Sequence, residues 1–378
     1  MKCARITFLA LVLLASGTGS ARAEDAAQLL AARFEQVVRD VMSEYAIPGV
    51  AVAVVKDGEP VYARAFGVKN VETGDPVTVR SLFHMASVTK TFVATAVMQL
   101  WEQGKVDLDA PVVQYLPHFE MNDSRYKEIT VAQMLNHTSG MPDLTDYEWN
   151  RPAYDDGALE EYVRSLSNRE LIAAPGTRER YSNIAFEVLG CLIAKVSGMT
   201  FEDYVEQHIL KPLGMKDSTL MKPKADPALL TAPHVRKGDS VDVSKVFPYN
   251  RKHAPSSTLL SSALDMSRWA LANLHRGELD GVRILKDATY DMLWRPKDAA
   301  FPDVGMSWFL GEHRGWKTVA HGGSDLGYKC YFVLLPERQI GVIVAANLNG
   351  APAPRLALAA VDILLDNEPG TAPSNPHR

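Results

Sequence analysis

Ser87-Val88-Thr89-Lys90 places a hydroxyl and an amine three residues apart. In a helix, residues i and i+3 share a face, so the two groups meet if a helix begins there. Serine is a weak nucleophile until a base takes its proton. A buried lysine can be that base, because desolvation disfavours the ammonium. A helix N-terminus also favours an oxyanion developing beside it. The spacing S-x-x-K arises about once by chance in such a chain, and a second copy stands at Ser124-Arg125-Tyr126-Lys127. Context separates them. Ser87 opens a segment whose Phe92, Val93, Ala96, Val97 and Leu100 form a broad apolar face, which sets Ser87 and Lys90 at the edge of a packed core. Ser124 sits among Asn122, Asp123, Arg125 and Glu128, the composition of a solvated loop. Taken alone, Ser87 is equally a plain helix cap.

Two further segments carry reactive groups. Tyr181-Ser182-Asn183 precedes the helical pattern Ile184–Val196. A phenol beside an ammonium is drawn toward phenolate and can act as base or proton shuttle. The Asn183 amide can hold a substrate carbonyl or fix the lysine. Without partners, the same residues read as a surface tyrosine and a capping asparagine. His321-Gly322-Gly323-Ser324 ends a strand-like run. Its glycines permit close backbone approach, and a strand end can offer an N–H to a substrate oxygen, although a plain hairpin turn has the same composition.

The elements that must position these groups follow from periodicity. Leu29, Leu30, Phe34, Val37, Val38 and Val41 predict a helix over about Ala26 to Glu44. Val50 to Val55, the Asp57-Gly58 turn and Val61 to Val68 predict a β-hairpin. A helix follows from Thr89 to about Gln103. From there to about Lys252 the pattern is helices and long loops, with 222–255 read as a polar excursion. A helix over Ser262 to Leu274 precedes strand-like runs at Met306–Leu310, Thr318–His321, Tyr328–Leu335 and Gly341–Ala346, and Arg355 to Leu365 closes as a helix. Strands therefore lie at both chain ends. The economical fold is an α/β one of α+β type: an antiparallel sheet built from both ends, flanked by helices, with a mostly helical lobe of about 105–255 inserted and a cleft between them. Residues 24–366 make this one domain, and 367–378 form a loose Pro-rich tail.

Composition narrows the class. The chain has 378 residues, 47% apolar and 22% charged, with formal net charge −5. That is ordinary globular usage, which excludes a disordered or disulfide-stapled chain. No Lys/Arg run marks a nucleic-acid partner. Lys2 and Arg5, the apolar run Ile6–Ala15 and Ala21-Arg22-Ala23 read as a cleaved signal over residues 1–23, which predicts a periplasmic or secreted protein. The apolar run is shorter than the about 20 residues of a membrane span. Cys191 and Cys330 remain after cleavage and are expected as two buried free thiols. No CxxC, HExxH or phosphate-loop pattern implies a metal or nucleotide.

Taken together, the three segments resemble the serine β-lactamase and penicillin-binding-protein superfamily, with S-x-x-K, Y-x-N and [KH]-x-G in order. The resemblance is to the class C-related branch, which includes class C β-lactamases, D-alanyl-D-alanine carboxypeptidases, D-aminopeptidases and family VIII carboxylesterases. Met134-Leu135-Asn136-His137-Thr138-Ser139-Gly140-Met141-Pro142 and Leu189-Gly190 add to it, and it spans about Phe34 to Asn349. It implies the β-lactamase/transpeptidase-like fold and two-step acyl transfer to water without a cofactor. By that resemblance Ser87 is the acylated nucleophile, Lys90 tunes or accepts its proton, and Tyr181 is general base. Asn183, His321, Gly323 and Ser324 bind substrate, with the backbone N–H groups of Ser87 and Ser324 as oxyanion hole.

Two departures point away from an efficient β-lactamase. His321 replaces the frequent lysine, giving a weaker, pH-dependent cation near neutrality. Ser256-Ser257-Thr258-Leu259 stands where relatives often carry paired glycines. The expected activity is hydrolysis of a small-molecule ester or amide. A β-lactamase or D-Ala-D-Ala carboxypeptidase, and a non-catalytic acyl-binding protein on the same fold, are the alternatives. Tyr147, Trp149 and Tyr154 follow Pro142 and either line an acyl pocket or simply pack; His84 is expected beside the nucleophile helix, and His137 to hold its own turn by hydrogen bonds.

Overall fold

The computed structural model describes residues 19–366, with side chains from Glu24 onward. Most of the expected signal segment, residues 1–18, and the tail 367–378 lie outside the described residues. The chain enters through helix α1 (Gly19–Leu29), a wide turn over Leu30–Phe34 and helix α2 (Glu35–Glu44). Leu30, Phe34, Val38 and Val41 are buried along one side, as the periodicity requires.

Six antiparallel strands form the central sheet. They are β1 (Gly49–Lys56), β2 (Glu59–Gly67), β3 (Phe309–His313), β4 (Trp316–Asp325), β5 (Tyr328–Leu335) and β6 (Ile340–Ala346), in the order β2-β1-β6-β5-β4-β3. The two chain ends meet where β1 pairs β6, with Val52 opposite Val344. Alternation assigns the faces. Val50, Val52, Val54, Val342 and Val344 pack under α2 and the C-terminal helix, here α6 (Ala353–Leu365). Ala51, Ala53, Ile343 and Ala345 face the opposite way. That face meets α5 (Ala263–Leu274), whose start is capped by Ser262 accepting from Asp265 N–H. A sheet covered on both faces reads as a continuous apolar run, which is why β1 is almost wholly buried.

Helix α3 (Thr89–Glu102) runs through the middle of the molecule, with every residue from Thr89 to Leu100 buried. The sequence pattern predicts one apolar face; the structure closes the helix in on all sides. Phe92 stacks on Trp269 of α5 with ring centroids 4.0 Å apart. The threonines survive burial because Thr91 Oγ1 donates to Val88 O at 2.8 Å and Thr95 Oγ1 to Thr91 O at 3.0 Å. Helix α4 (Asn183–Ser197) packs against α3 and ends at Gly198, whose φ of 74° is the left-handed conformation of a helix stop.

Three expectations need correction. Met306–Trp308 is not strand. Ser307 has φ 66° and its N–H donates to Leu135 O at 2.7 Å, so the ladder begins only at Phe309. The apolar residues there anchor a loop, with Trp308 against Phe332 at 5.9 Å. Strand β4 does not stop at His321; its pairing with β5 continues through both glycines to Asp325 opposite Tyr328. Finally, 222–255 is not loop throughout, since His234–Lys237 and Ser240–Val243 form a hairpin about a Gly238-Asp239 turn. Among the described residues, no single helix is long and apolar enough to cross a membrane.

Candidate active site

Ser87 lies on a tight turn, Ala86–Val88, that leads directly into α3. Ala86 has φ 46°, unusual for a residue with a side chain, so the turn is strained and must be held from outside. Several bonds hold it. Met85 N–H donates to Leu259 O at 2.7 Å, Cys330 Sγ donates to Met85 O at 2.9 Å, and Thr89 Oγ1 donates to Ala86 O at 2.6 Å. Strand β4 then presses against the turn at Gly323. A Cβ there would sit 2.3 Å from Met85 O, so only glycine fits.

Lys90 is fully buried one turn further on. Its Nζ lies 3.0 Å from Ser87 Oγ, 2.6 Å from Asn183 Oδ1 and 2.7 Å from Ser256 O. The Asn183 amide is oriented by Asp143, whose Oδ1 accepts from Asn183 N–H and from Asn183 Nδ2, each at 2.8 Å. Its oxygen is therefore the atom left for Lys90. Burial lowers Lys90 to about 7, against the raising influence of Glu187, Asp143 and Asp325. Near neutrality a large share of Lys90 is the free amine.

Hydrogen-bond arithmetic then orients that amine. A neutral Nζ has two N–H donors and one lone pair. Asn183 Oδ1 and Ser256 O can only accept, so they take both donors. Of the three neighbours, only Ser87 Oγ can donate, and the lone pair is left for its proton.

Tyr181 lies beside this pair. Lys90 Nζ sits 5.0 Å from the centre of its ring. Burial raises the phenol well above its ordinary range; contact with Ser87 lowers it only in part, and Asp143, Asp325 and Glu187 raise it further. The hydroxyl makes no hydrogen bond of ordinary geometry. His137 stacks on the Tyr181 ring at 4.3 Å and accepts from Ser182 N–H at 3.2 Å through Nδ1. It is expected as a turn-holding residue, and it also fixes the plane of Tyr181.

His321 and Phe309 stand across from Tyr181, with ring centres 5.2 Å apart. The expected weak cation at His321 is not what the structure shows. Burial first, and then the charge of Lys90, lower its pKa to about 3, so the ring is neutral. Its Nδ1 lies 2.7 Å from Gly322 O, which assigns the N–H to Nδ1 and leaves Nε2 as an unpartnered buried acceptor. Ser324 is exposed at the end of β4.

The structure thus gathers Ser87, Lys90, Tyr181, Asn183, His321 and Gly323 into one site, with Ser324 at its edge. The decoy falls away: Ser124 and Lys127 are exposed. Tyr147 stacks on Trp149 at 4.5 Å and meets His253 edge-on at 5.3 Å, and its phenol is raised first by burial and then by Asp325 and Glu187. Tyr154 is 52% exposed and instead leans on Tyr249. Cys191 and Cys330 are buried and free.

Other participants carried no motif signal of their own. His84 Nε2 lies 3.1 Å from Asp325 Oδ2 and 3.2 Å from Ser257 Oγ, and Ser257 Oγ donates to the same carboxyl oxygen. This cluster ties the end of β4 to the strand Phe83–His84 and to the turn that supplies Ser256. The Ser256-Ser257 pair, flagged in the sequence only as a departure, supplies the Lys90 acceptor and half of the clamp.

A family model described as Beta-lactamase matches residues 34–366. Protein flp of Staphylococcus aureus (strain MW2) is 27% identical over 331 residues, covering 86% of this chain and 64% of that protein, so the chain spans a little under two thirds of such relatives. Penicillin-binding protein 4 of Amycolatopsis lactamdurans is 28% identical over 323 residues, 82% of this chain and 83% of that protein. Among solved structures, the octameric penicillin-binding protein homologue from Pyrococcus abyssi superposes with a TM-score of 0.77 at 28% identity, over 90% of this chain and 78% of that one. With the match running over most of its length, the chain belongs to the Beta-lactamase family, within the serine β-lactamase and penicillin-binding-protein superfamily.

Proposed function

We propose that this protein is an exported serine hydrolase, periplasmic or secreted, that cleaves a small-molecule ester or amide through an acyl-Ser87 intermediate. The observation that carries this reading is the Lys90 amine, buried, depressed to about 7 and aimed at Ser87 Oγ by two fixed acceptors. Ser87 gives its proton to the Lys90 lone pair, and Oγ bonds to the substrate carbonyl carbon. The C=O electron pair moves onto oxygen, where the N–H groups of Ser87 and Ser324 receive it. One such donor is worth about 3 kcal/mol of barrier. Collapse breaks the bond to the leaving group, which takes a proton from the Lys90 ammonium through the Tyr181 hydroxyl. Water then enters, gives a proton by the reverse route to Lys90 and bonds through its oxygen to the acyl carbon; collapse breaks the ester bond to Ser87 Oγ, which takes that proton back as the acid leaves. Because burial holds Tyr181 protonated, it serves here as a relay, and Lys90 takes the base role that resemblance assigns to the tyrosine.

A second reading, action on β-lactams or D-alanyl peptides, is supported by the similarity to penicillin-binding protein 4. The neutral His321 weighs against it, because a substrate carboxylate would find no cation at that position. A fluorophosphonate should add its mass to Ser87 and fail to do so in Ser87→Ala. Short p-nitrophenyl esters should turn over faster than nitrocefin. Labelling that survives Ser87→Ala would remove the nucleophile, and the opposite ranking would favour the second reading.

A further inference from the structure

Helix α4 brings a second polar side chain toward Lys90. Glu187 follows Asn183 by four residues, so the two share a face of the helix. Glu187 is fully buried. Its Oε1 accepts from Ser256 Oγ at 2.6 Å and lies 3.2 Å from His253 Nδ1, while Oε2 has no hydrogen-bond partner. A buried acceptor left unsatisfied costs about 1–3 kcal/mol, more when charged, so its presence calls for an explanation.

The surroundings supply one. The residue that Glu187 holds by its hydroxyl, Ser256, is the one whose carbonyl accepts from Lys90 Nζ. Acylation also creates an ammonium at Lys90, in a place where water does not reach it. A buried ion without a counter-charge is strongly disfavoured. The charged groups that face Lys90 are Glu187 from α4, Asp143 from the segment before it and Asp325 from β4, and Glu187 has the largest influence of the three. The other titratable neighbours carry no compensating charge. Burial keeps His137 and His321 neutral. Tyr181, Tyr147 and Tyr162 are kept protonated by burial, with Glu187 contributing to each. His253 is tied to Glu187 itself.

Resting on the reading of Ser87 as nucleophile and Lys90 as its base, we propose that Glu187 is a positioning residue for acylation. Through Ser256 it fixes the carbonyl that aims Lys90 at Ser87, and its buried charge offsets the ammonium as the proton arrives.

The test is the pH dependence of fluorophosphonate labelling of Ser87 in the full chain, comparing wild type, Glu187→Gln and Glu187→Asp by intact mass. Loss of a nearby negative charge weakens the ammonium, so the acid limb in Glu187→Gln should move about one unit to lower pH. The plateau rate should fall about tenfold, as the transferred proton is less well accommodated. Glu187→Asp should keep its limb near that of wild type. A Glu187→Gln protein with wild-type limb and plateau would overturn the proposal. If that variant does not fold, Ser256→Ala decides, because it cuts the hydrogen bond while keeping charge and carbonyl. Its plateau should fall several-fold, and a wild-type plateau would overturn the positioning role. Wild-type protein that takes no label at Ser87 would instead refute the nucleophile assignment.

Discussion

Replacing Gly323 by alanine should part the two halves of the site without altering any group that does chemistry. A Cβ at this position would stand 2.3 Å from Met85 O, 2.4 Å from Cys330 Sγ and 3.2 Å from the Ala86 Cβ. Carbon and oxygen approach comfortably only to about 3.3 Å. The Cys330 thiol can rotate away and lose its bond to Met85 O, but the carbonyl is backbone. Either β4 or the Ser87 turn must therefore retreat by about 1 Å. A displacement of that size costs about 100-fold in rate, or about 2.7 kcal/mol of barrier. The overpacking itself should cost about 1–3 kcal/mol of stability. Gly322→Ala is the internal control. Its Cβ would meet Tyr331 Cδ2 at 3.5 Å, an ordinary contact, so its rate should stay within about twofold of wild type. The assay is the second-order rate of Ser87 labelling, with thermal melting to confirm folding. A folded Gly323→Ala protein that labels at the wild-type rate would refute the claim that this contact sets the geometry between strand and nucleophile.

Other expectations follow from the same site. Tyr181→Phe should lower kcat by about 10²–10⁴ while KM changes little, because the relay acts in the transition state; unchanged turnover would exclude Tyr181 from proton transfer. Lys90 also makes stability depend on pH. Its folded pKa, about 7, lies below the unfolded value of about 10.4, so between those limits the unfolded chain binds the extra proton and stability rises with pH. Urea unfolding of wild type should therefore gain about 1.4 kcal/mol per pH unit relative to Lys90→Met across that window, and parallel pH dependences would show that Lys90 is not depressed. Cys191 and Cys330, both buried and pushed up to about 12, should resist iodoacetamide until the protein unfolds. Rapid alkylation of the native protein would contradict their burial.

Much of the fold was legible because its signals are local and dense. The valine-alanine alternation of β1 and the Asp57-Gly58 turn announce a hairpin, and both strands appear where that pattern places them. Signals mislead where packing replaces periodicity. Met306 and Trp308 look like strand because they are apolar, yet they are buried by neighbours from elsewhere in the chain. The hairpin at 234–243 leaves no local signal because its residues are mainly polar or partly exposed, with no apolar stripe to carry a two-residue period. In the candidate site, Ser87 with Lys90 and Tyr181 with Asn183 were readable because each pair stands at short spacing in the chain. Asp143, Glu187 and Ser256 were not. Each acts through a partner 40 or more residues away, as with Ser256 on Lys90 at a separation of 166, and no local pattern records such a contact. The charge of His321 is not legible in the sequence for the same reason, since its neutrality comes from burial and from Lys90 rather than from residue type.

The central claim is that a free amine at Lys90 removes the Ser87 proton. The direct measurement is the rate of Ser87 phosphonylation in wild-type protein from pH 5 to 11, read by intact mass. The rate should climb through a single ionisation near pH 7, where half of Lys90 becomes the base. A rate that stays flat below pH 9 and rises only near the ordinary lysine value of about 10.4 would contradict it.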